Sequence, residues 1–323
     1  MPKGSLIIGL GQIGMEYDID VPSDKSVFTH ARAFSTHKEF ELLGAVDPSS
    51  EKKSRFTQKY HKPAFRDLAE ALQQIDPQII IISSPTVYHK TILEEVLRLT
   101  KPLAILCEKP LSYSISDARS MIELCEQEGV RLFVNYMRRS DPGAIEIRDR
   151  IQKGAITAPI KGVAWYSKGF LHNGSHFFNL LEFWLGKYQR STVMSNGRLW
   201  QDQDPEPDIY VEFERGNITF LAAWEEAFSH YTIELLSPSG RLRYERGGEY
   251  ITWQSTQSDP NFSGYTILNE QPEIIGNSMD QYQWHVADQL ARALAGQSAS
   301  ICSGREGLTT LEYMNQIINF KQS

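Results

Sequence analysis

Apolar residues follow two rhythms along this chain. Up to about residue 135 they gather into short unbroken runs, and beyond it many alternate with polar residues. Unbroken runs of about four to eight apolar residues suit strands buried on both faces of a parallel sheet. Ser5 to Ile8, Glu41 to Val46, Ile79 to Ile82 and Leu103 to Cys107 have this form. Helical spacing falls between them. It covers Lys25 to His37, Asp67 to Gln74, His89 to Leu99, and Ser116 to Glu128 with Ser116 as N-cap and Gly129 as stop. Alternating strand and helix signals predict a doubly wound α/β domain.

The second half changes character. Lys161 to Tyr166, Asp208 to Phe213, Ile218 to Trp224, Tyr231 to Leu236, Arg241 to Tyr244 and Glu249 to Trp253 are short strand-like runs separated by Gly-containing turns. They predict a largely antiparallel sheet with one face packed and the other open. Helices near Gln281 to Ala295 and Gly307 to Phe320 close the chain. The fold class is therefore α/β, with a parallel-sheet domain over residues 1–135 and an α/β domain with an open antiparallel sheet over 136–323.

Composition narrows the function classes. Hydrophobic residues are 41% and charged residues 23% of 323, ordinary for a packed protein, and the net charge of −7 offers no general attraction for nucleic acid. No apolar run is long enough to span a membrane. Three cysteines, Cys107, Cys125 and Cys302, are too scattered for a disulfide framework or a metal knuckle and fit a reducing, cytoplasmic setting.

Gly9-Leu10-Gly11-Gln12-Ile13-Gly14 follows the first strand with the G-x-G-x-x-G spacing of a dinucleotide fingerprint: a tight turn, close backbone approach to a pyrophosphate, and close packing. A second strand delivers Asp47, whose carboxylate could accept from a ribose diol and would repel a 2′-phosphate, which points to NAD. Ser49, Ser50, Lys52 and Lys53 follow, so NADP stays open. Asp47 lies further past Gly14 than the usual interval of about 20 residues. Met15 to Asp24 therefore reads as an inserted loop before a helix starting near Asp24. Its Tyr17, Asp18 and Asp20 read best as a solvated acidic loop.

Cys107-Glu108-Lys109-Pro110 ends the fourth apolar run, at the edge where open α/β sheets bind ligands. A partly buried lysine there can exchange a proton with a hydroxyl; a surface lysine paired with Glu108 or Glu126 is the alternative. Further along, Gly169 to His176 leads into the apolar run Phe177 to Leu185. With a helix starting near His172, His172 and His176 share one face. No third ligand accompanies them, so acid/base or core roles outrank a metal. Trp165, Tyr166, Phe170 and Phe177 either pack the core or stack on a ring. Arg138 and Arg139 can hold an anionic group or form interdomain ion pairs.

Together these motifs resemble the Gfo/Idh/MocA family of glucose-fructose oxidoreductases and inositol dehydrogenases. The ordered set is Gly9 to Gly14, Val46-Asp47-Pro48, Ser84-Pro85-Thr86 with His89, Glu108-Lys109-Pro110, Asn135 to Arg139, Gly174 with His176, and Gly240. The resemblance implies an N-terminal Rossmann domain, a C-terminal α/β domain whose open sheet mediates a homodimer or homotetramer, and NAD(P)-dependent oxidation or reduction of a sugar, nucleotide sugar or cyclitol. It places cofactor contacts at Gly9, Gly11, Gln12, Ile13, Gly14, Asp47, Ser84, Pro85, His89, Glu108 and Lys109. It further implies Lys109, His176 and His172 as catalytic groups, with His172 standing where the family usually has aspartate. Tyr166, Asn173 and Arg138 are candidate substrate contacts. The alternative is a cofactor-binding sensor without turnover on the same fold.

Overall fold

The structure is a computed structural model that describes residues 1–22, 26–223, 228 and 230–319. It divides into two compact units, residues 1–140 with 280–309 and residues 141–279 with 310–323. The sequence-based division at 135 and 136 treated the chain as two uninterrupted halves. The contacts return a late segment to the first unit and cut between Thr309 and Thr310, inside the helix Gly304–Asn319.

In the first unit, β1 (Lys3–Ile8), β2 (Phe40–Val46), β3 (Ala64–Phe65), β4 (Ile79–Ile82), β5 (Ala104–Cys107) and β6 (Arg131–Val134) form a parallel sheet in the order 6-5-4-1-2-3. The short strand Cys302–Ser303 adds antiparallel to β6. All four isoleucines of β4 have no exposed surface, as continuous apolar strands covered on both faces must. The helix Tyr282–Leu294 belongs to this unit, contributing Val286, Ala287 and Leu290 to its core.

Element boundaries follow capping chemistry. The helix expected over Lys25 to His37 runs from His30 to Thr36, because Thr29 is its N-cap and accepts from the Arg32 amide. Lys25 and Asp24 lie outside the described residues. In the same way Ser114, rather than Ser116, caps Ile115–Gln127 by accepting from the Asp117 amide. Two helices escaped the sequence reading, Ser50–Tyr60 and Pro142–Gln152. Both are capped in the standard way, by Ser49 and Asp141.

The loop after Gly14 departs most from expectation. A wide helical turn, Gln12–Glu16, starts directly after Gly11, with the Glu16 amide donating to the Gly11 carbonyl five residues back at 3.1 Å. Asp18 has no exposed surface. It accepts from the amides of Phe28 (2.7 Å) and Thr29 (3.0 Å) and from the Thr29 hydroxyl (2.7 Å), with Arg32 beside it. A solvated acidic loop is thus the wrong description for Asp18, though Asp20 is exposed.

The second unit is built on β7 (Ile160–Tyr166), β8 (Tyr188–Ser195), β11 (Asp208–Phe213), β12 (Gly216–Ala222), β13 (Thr232–Ser237), β14 (Gly240–Glu245), β15 (Tyr250–Ser258) and β16 (Thr266–Leu268), ordered 16-15-14-13-7-12-11-8. Only β7 and β12 pair in parallel along that path. Glu273–Ile274, β17, adds to β15, and β9 (Leu199–Trp200) pairs with β10 (Asp204–Pro205) as a separate hairpin. Trp224 and Phe320, which the sequence put at the ends of a strand and a helix, lie outside the described residues. One sheet face packs on the helix Ser175–Leu185, whose Phe177, Phe178, Leu181 and Trp184 join Phe220, Ile233 and Tyr244 in the core.

Trp184 is 1% exposed and its indole N–H donates to the Ala144 carbonyl at 2.9 Å. Trp184→Ala should therefore cost about 3–5 kcal/mol, read as a lowered urea midpoint for the second unit by tyrosine and far-UV signals.

Candidate active site

Four strand ends of the first unit, those of β1, β2, β4 and β5, gather the predicted cofactor residues. Gly9 has φ +103°, and a Cβ there would stand 2.7 Å from the Ser83 carbonyl carbon, so only glycine fits between neighbouring strand ends. Gly14 is equally constrained, since a Cβ would collide with the Gly9 carbonyl oxygen. Gly11 differs, because nothing lies within 4 Å of where its Cβ would be. The middle glycine thus leaves an open cradle beside exposed backbone, as close approach of a pyrophosphate requires. Gln12 is exposed and Ile13 half-buried beside it.

A cavity of about 600 Å³ opens next to this turn, lined by Gly9, Gly11, Asp47, Ser84, Pro85 and Tyr88 among others. Asp47 is 7% exposed, and each carboxylate oxygen already accepts one backbone amide at 2.8 Å, from Leu10 and from Ser49. A carboxylate has about four acceptor sites, so capacity for a ribose diol remains after both pins. The glycine cradle, the cavity and the free acceptor capacity fit a dinucleotide.

His89 has a different place from the one expected. It has no exposed surface, and its ring nitrogens face the carbonyls of Leu111 (3.2 Å) and Ser84 (2.9 Å). Burial lowers its pKa, outweighing the two carbonyls that favour the charged ring. His89 ties two loops together and does not present its imidazole to a ligand.

Glu108 and Lys109 follow β5, and the Glu108 amide still pairs with the Ile82 carbonyl at 2.9 Å. The Lys109–Pro110 peptide is cis. The Glu108 carboxylate accepts from Asn135 at 2.6 Å, meets the His30 ring at 2.8 Å, and takes the Lys109 amide at 3.3 Å. Burial pushes its pKa up, yet the His30 contact, the Asn135 hydrogen bond and the Lys109 charge outweigh burial and hold it below the ordinary carboxylate value. Asn135 also donates to Gln283 at 3.3 Å. His30 and Gln283 carried no sequence signal, since neither falls in a recognisable motif. Arg138 is half-buried, and Arg139 pairs with Glu306 at 2.6 Å inside the same unit, so that ion pair is not interdomain.

In the second unit the helix starts at Ser175 and not near His172. Residues Gly169–Gly174 form a wide helical turn instead. Its organiser is Asp204, whose carboxylate accepts from the amides of Leu171 (3.0 Å) and His172 (2.7 Å). Burial lifts the Asp204 pKa above its ordinary value despite those donors. Gly169 has φ +80°, and a side chain there would strike the Asp204 carboxylate. Beside it, fully buried Glu206 accepts from the Gly169 amide at 3.1 Å and from Arg198 at 2.7 Å. His172 is exposed and stacks on Trp200, with centroids 5.1 Å apart and planes 17° from parallel. His176 is 9% exposed at the start of the following helix. Asn173 donates to the Tyr231 hydroxyl at 3.0 Å. Tyr166 is corrected as a substrate contact: it has no exposed surface, and its hydroxyl donates to the Pro207 carbonyl at 2.7 Å. Phe170 and Phe177 are likewise core residues.

Residues 4–136 match the family model GFO_IDH_MocA, described as an oxidoreductase family with an NAD-binding Rossmann fold. The uncharacterized oxidoreductase YrbE of Bacillus subtilis is 33% identical over 274 residues, covering 77% of this chain and 76% of that protein. The chain belongs to the Gfo/Idh/MocA oxidoreductase family. The inositol 2-dehydrogenase of Rubrobacter xylanophilus is 24% identical over 238 residues, 70% of this chain, and the match spans 65% of that relative's length. The crystal structure of the WlbA dehydrogenase from Bordetella pertussis, in complex with NADH and UDP-GlcNAcA, has the same fold. It superimposes with a TM-score of 0.74 at 17% identity, covering 99% of this chain and 96% of that one.

Two tests follow from the geometry of this Gfo/Idh/MocA member. Gly11→Ala should leave the thermal midpoint within about 2 °C while weakening NAD binding at least about tenfold, whereas Gly9→Ala should lower the midpoint outright; calorimetry and thermal unfolding separate them. Glu108 has a folded pKa below its unfolded value, so its stabilisation is present above the unfolded pKa of about 4.3 and is lost as pH falls through the lower folded one. Glu108→Gln should flatten that acid limb, seen in urea midpoints measured from about pH 6 to pH 3.

Proposed function

We propose that the protein is an NAD(P)-dependent dehydrogenase acting on a CH–OH group of a sugar, nucleotide sugar or cyclitol. The observation that carries the reading is the segment Glu108-Lys109-Pro110, set where β5 ends in the sheet whose neighbouring strand ends carry the glycine cradle. The bound nicotinamide supplies the hydride acceptor or donor. Lys109 exchanges the proton of the reacting hydroxyl, and Glu108, fixed by His30 and Asn135, holds the backbone from which Lys109 projects. The resemblance gives His176 an acid/base role as well. The names of the relatives, an inositol dehydrogenase and a dehydrogenase bound to a nucleotide sugar, support a polyhydroxylated substrate.

Asp47 favours NAD over NADP, because its carboxylate faces the cavity where a 2′-phosphate would add like charge. The reading extends to a cytoplasmic homo-oligomer. All three cysteines are free and buried, and the open sheet face presents Trp165 and Leu236, 38% and 51% exposed. Among the described residues no helix is long and apolar enough to cross a membrane.

A panel of cyclitols, aldoses and nucleotide sugars, followed by absorbance of the reduced nicotinamide with NAD and with NADP, tests the assignment. Lys109→Met should lower kcat at least about a thousandfold with the NADH dissociation constant unchanged within about threefold. Undiminished turnover in that variant would remove Lys109 from the chemistry. Tight cofactor binding without turnover of any panel member by the parent protein would favour the sensor instead.

A further inference from the structure

The Asp47 end of the cavity carries more phosphate-binding chemistry than a ribose diol requires. Ser49 caps the helix Ser50–Tyr60 and lines the cavity together with Lys52. A hydroxyl, the start of a helix and an ammonium thus gather beside Asp47, where a 2′-phosphate would lie. Asp47 opposes such a charge from a fixed position, since both of its oxygens are tied to backbone amides at 2.8 Å. Among the described residues that line the cavity, Lys52 is the single cation, set against Asp47, Asp67 and Glu95. Left to itself, that lysine would compensate an incoming phosphate.

What engages Lys52 comes from the loop after the fingerprint. Glu16 ends the wide turn Gln12–Glu16, and its amide donates at 3.1 Å to the carbonyl of Gly11, which lines the same cavity. Its two carboxylate oxygens divide between two cations of the facing helix: one is 3.8 Å from the Lys52 ammonium and the other 3.7 Å from the Arg55 guanidinium. Asp20, four residues further along, holds Arg55 a second time at 3.0 Å. Ion pairs of this length between half-buried groups are weak, so Glu16 biases Lys52 without locking it. The bias matters because a 2′-phosphate, with a charge of about −1.5 to −2, competes for the same ammonium within a Debye length of Glu16.

We propose that Glu16 is a specificity-determining residue for the cofactor: by engaging Lys52 it withholds the counter-charge that a 2′-phosphate needs, and so favours NAD over NADP. Two carboxylates from different loops then act on one subsite by separate routes. Asp47 accepts from the diol and repels a phosphate, while Glu16 occupies the cation that would offset that repulsion. The inference rests on the reading of the cavity as a dinucleotide site, and it stands apart from whether hydride is transferred.

The experiment is calorimetric titration of NAD, NADP, 5′-AMP and 2′,5′-ADP into the parent protein, Glu16→Gln, Glu16→Ala, and Glu16→Gln combined with Lys52→Ala, after thermal unfolding has shown each to be folded. Both single variants should bind NADP and 2′,5′-ADP at least about fivefold more tightly than the parent does, with NAD and 5′-AMP changed by less than about twofold. Adding Lys52→Ala should abolish the gain, which assigns it to the freed ammonium. The gain should also shrink as salt is raised from about 50 to about 300 mM. An unchanged ratio of NADP to NAD affinity in both Glu16 variants overturns the proposal, as does a gain that survives loss of Lys52 or a parent protein that binds the two cofactors equally. The readout needs no turnover. A protein that binds NAD and oxidises no sugar loses the dehydrogenase reading and keeps this one, whereas turnover with an unaltered cofactor ratio in the Glu16 variants sinks this one alone.

Discussion

The first unit depends on a sheet that can give neither face to water. Residues such as Ile79 to Ile82 and Ala104 to Cys107 are sealed above and below, so every polar group that must meet a ligand is pushed to the ends of the strands. Gly9, Asp47, Ser84 and Glu108 follow four adjacent strands, and the first three, distant in sequence, line one cavity. The glycines answer a second demand of the same packing. Adjacent strand ends approach so closely that Gly9 and Gly14 have no room for a side chain, whereas the gap at Gly11 is left for something else.

Carboxylates carry much of the remaining order, acting on backbone amides more than on cations. Asp18 fixes the start of the first full helix, Asp47 gathers Leu10 and Ser49, Asp141 caps its helix and takes the Ser278 amide, and Asp204 shapes the turn before Ser175. Such charge-assisted bonds are stronger than neutral ones and satisfy amides that no strand or helix would otherwise pair. The same economy explains why Asp47 can define a turn and still face a cofactor.

Periodicity made the strands legible. All four apolar runs of the first half are strands, and six short runs of the second half mark strands of the larger sheet to within a few residues. Helix starts were less legible because they turn on which hydroxyl or carboxylate reaches an amide: Ser114 wins over Ser116, and Thr29 caps His30–Thr36, through geometry that spacing does not encode. The helix Ser50–Tyr60 was missed because its face is mostly charged, with Phe56 its one buried side chain. Site residues divided along a similar line. Glycines and Asp47 sit where the motif puts them, but His89 and Tyr166 proved to be internal fastenings, since a motif reports identity and not which way a ring nitrogen or hydroxyl points. Asp204 could not have been found from His172, being brought beside it only by the hairpin.

The late strand Cys302–Ser303 pairs with β6, and the helix Tyr282–Leu294 fills the core of the first unit. A chain emerging from the ribosome therefore completes nearly all of the second unit before its first unit has received its last strand. The dinucleotide-binding half, although it begins at residue 3, is among the last parts of the molecule to be finished. The second unit is closed later still, by Met314 and Ile317 of the final helix.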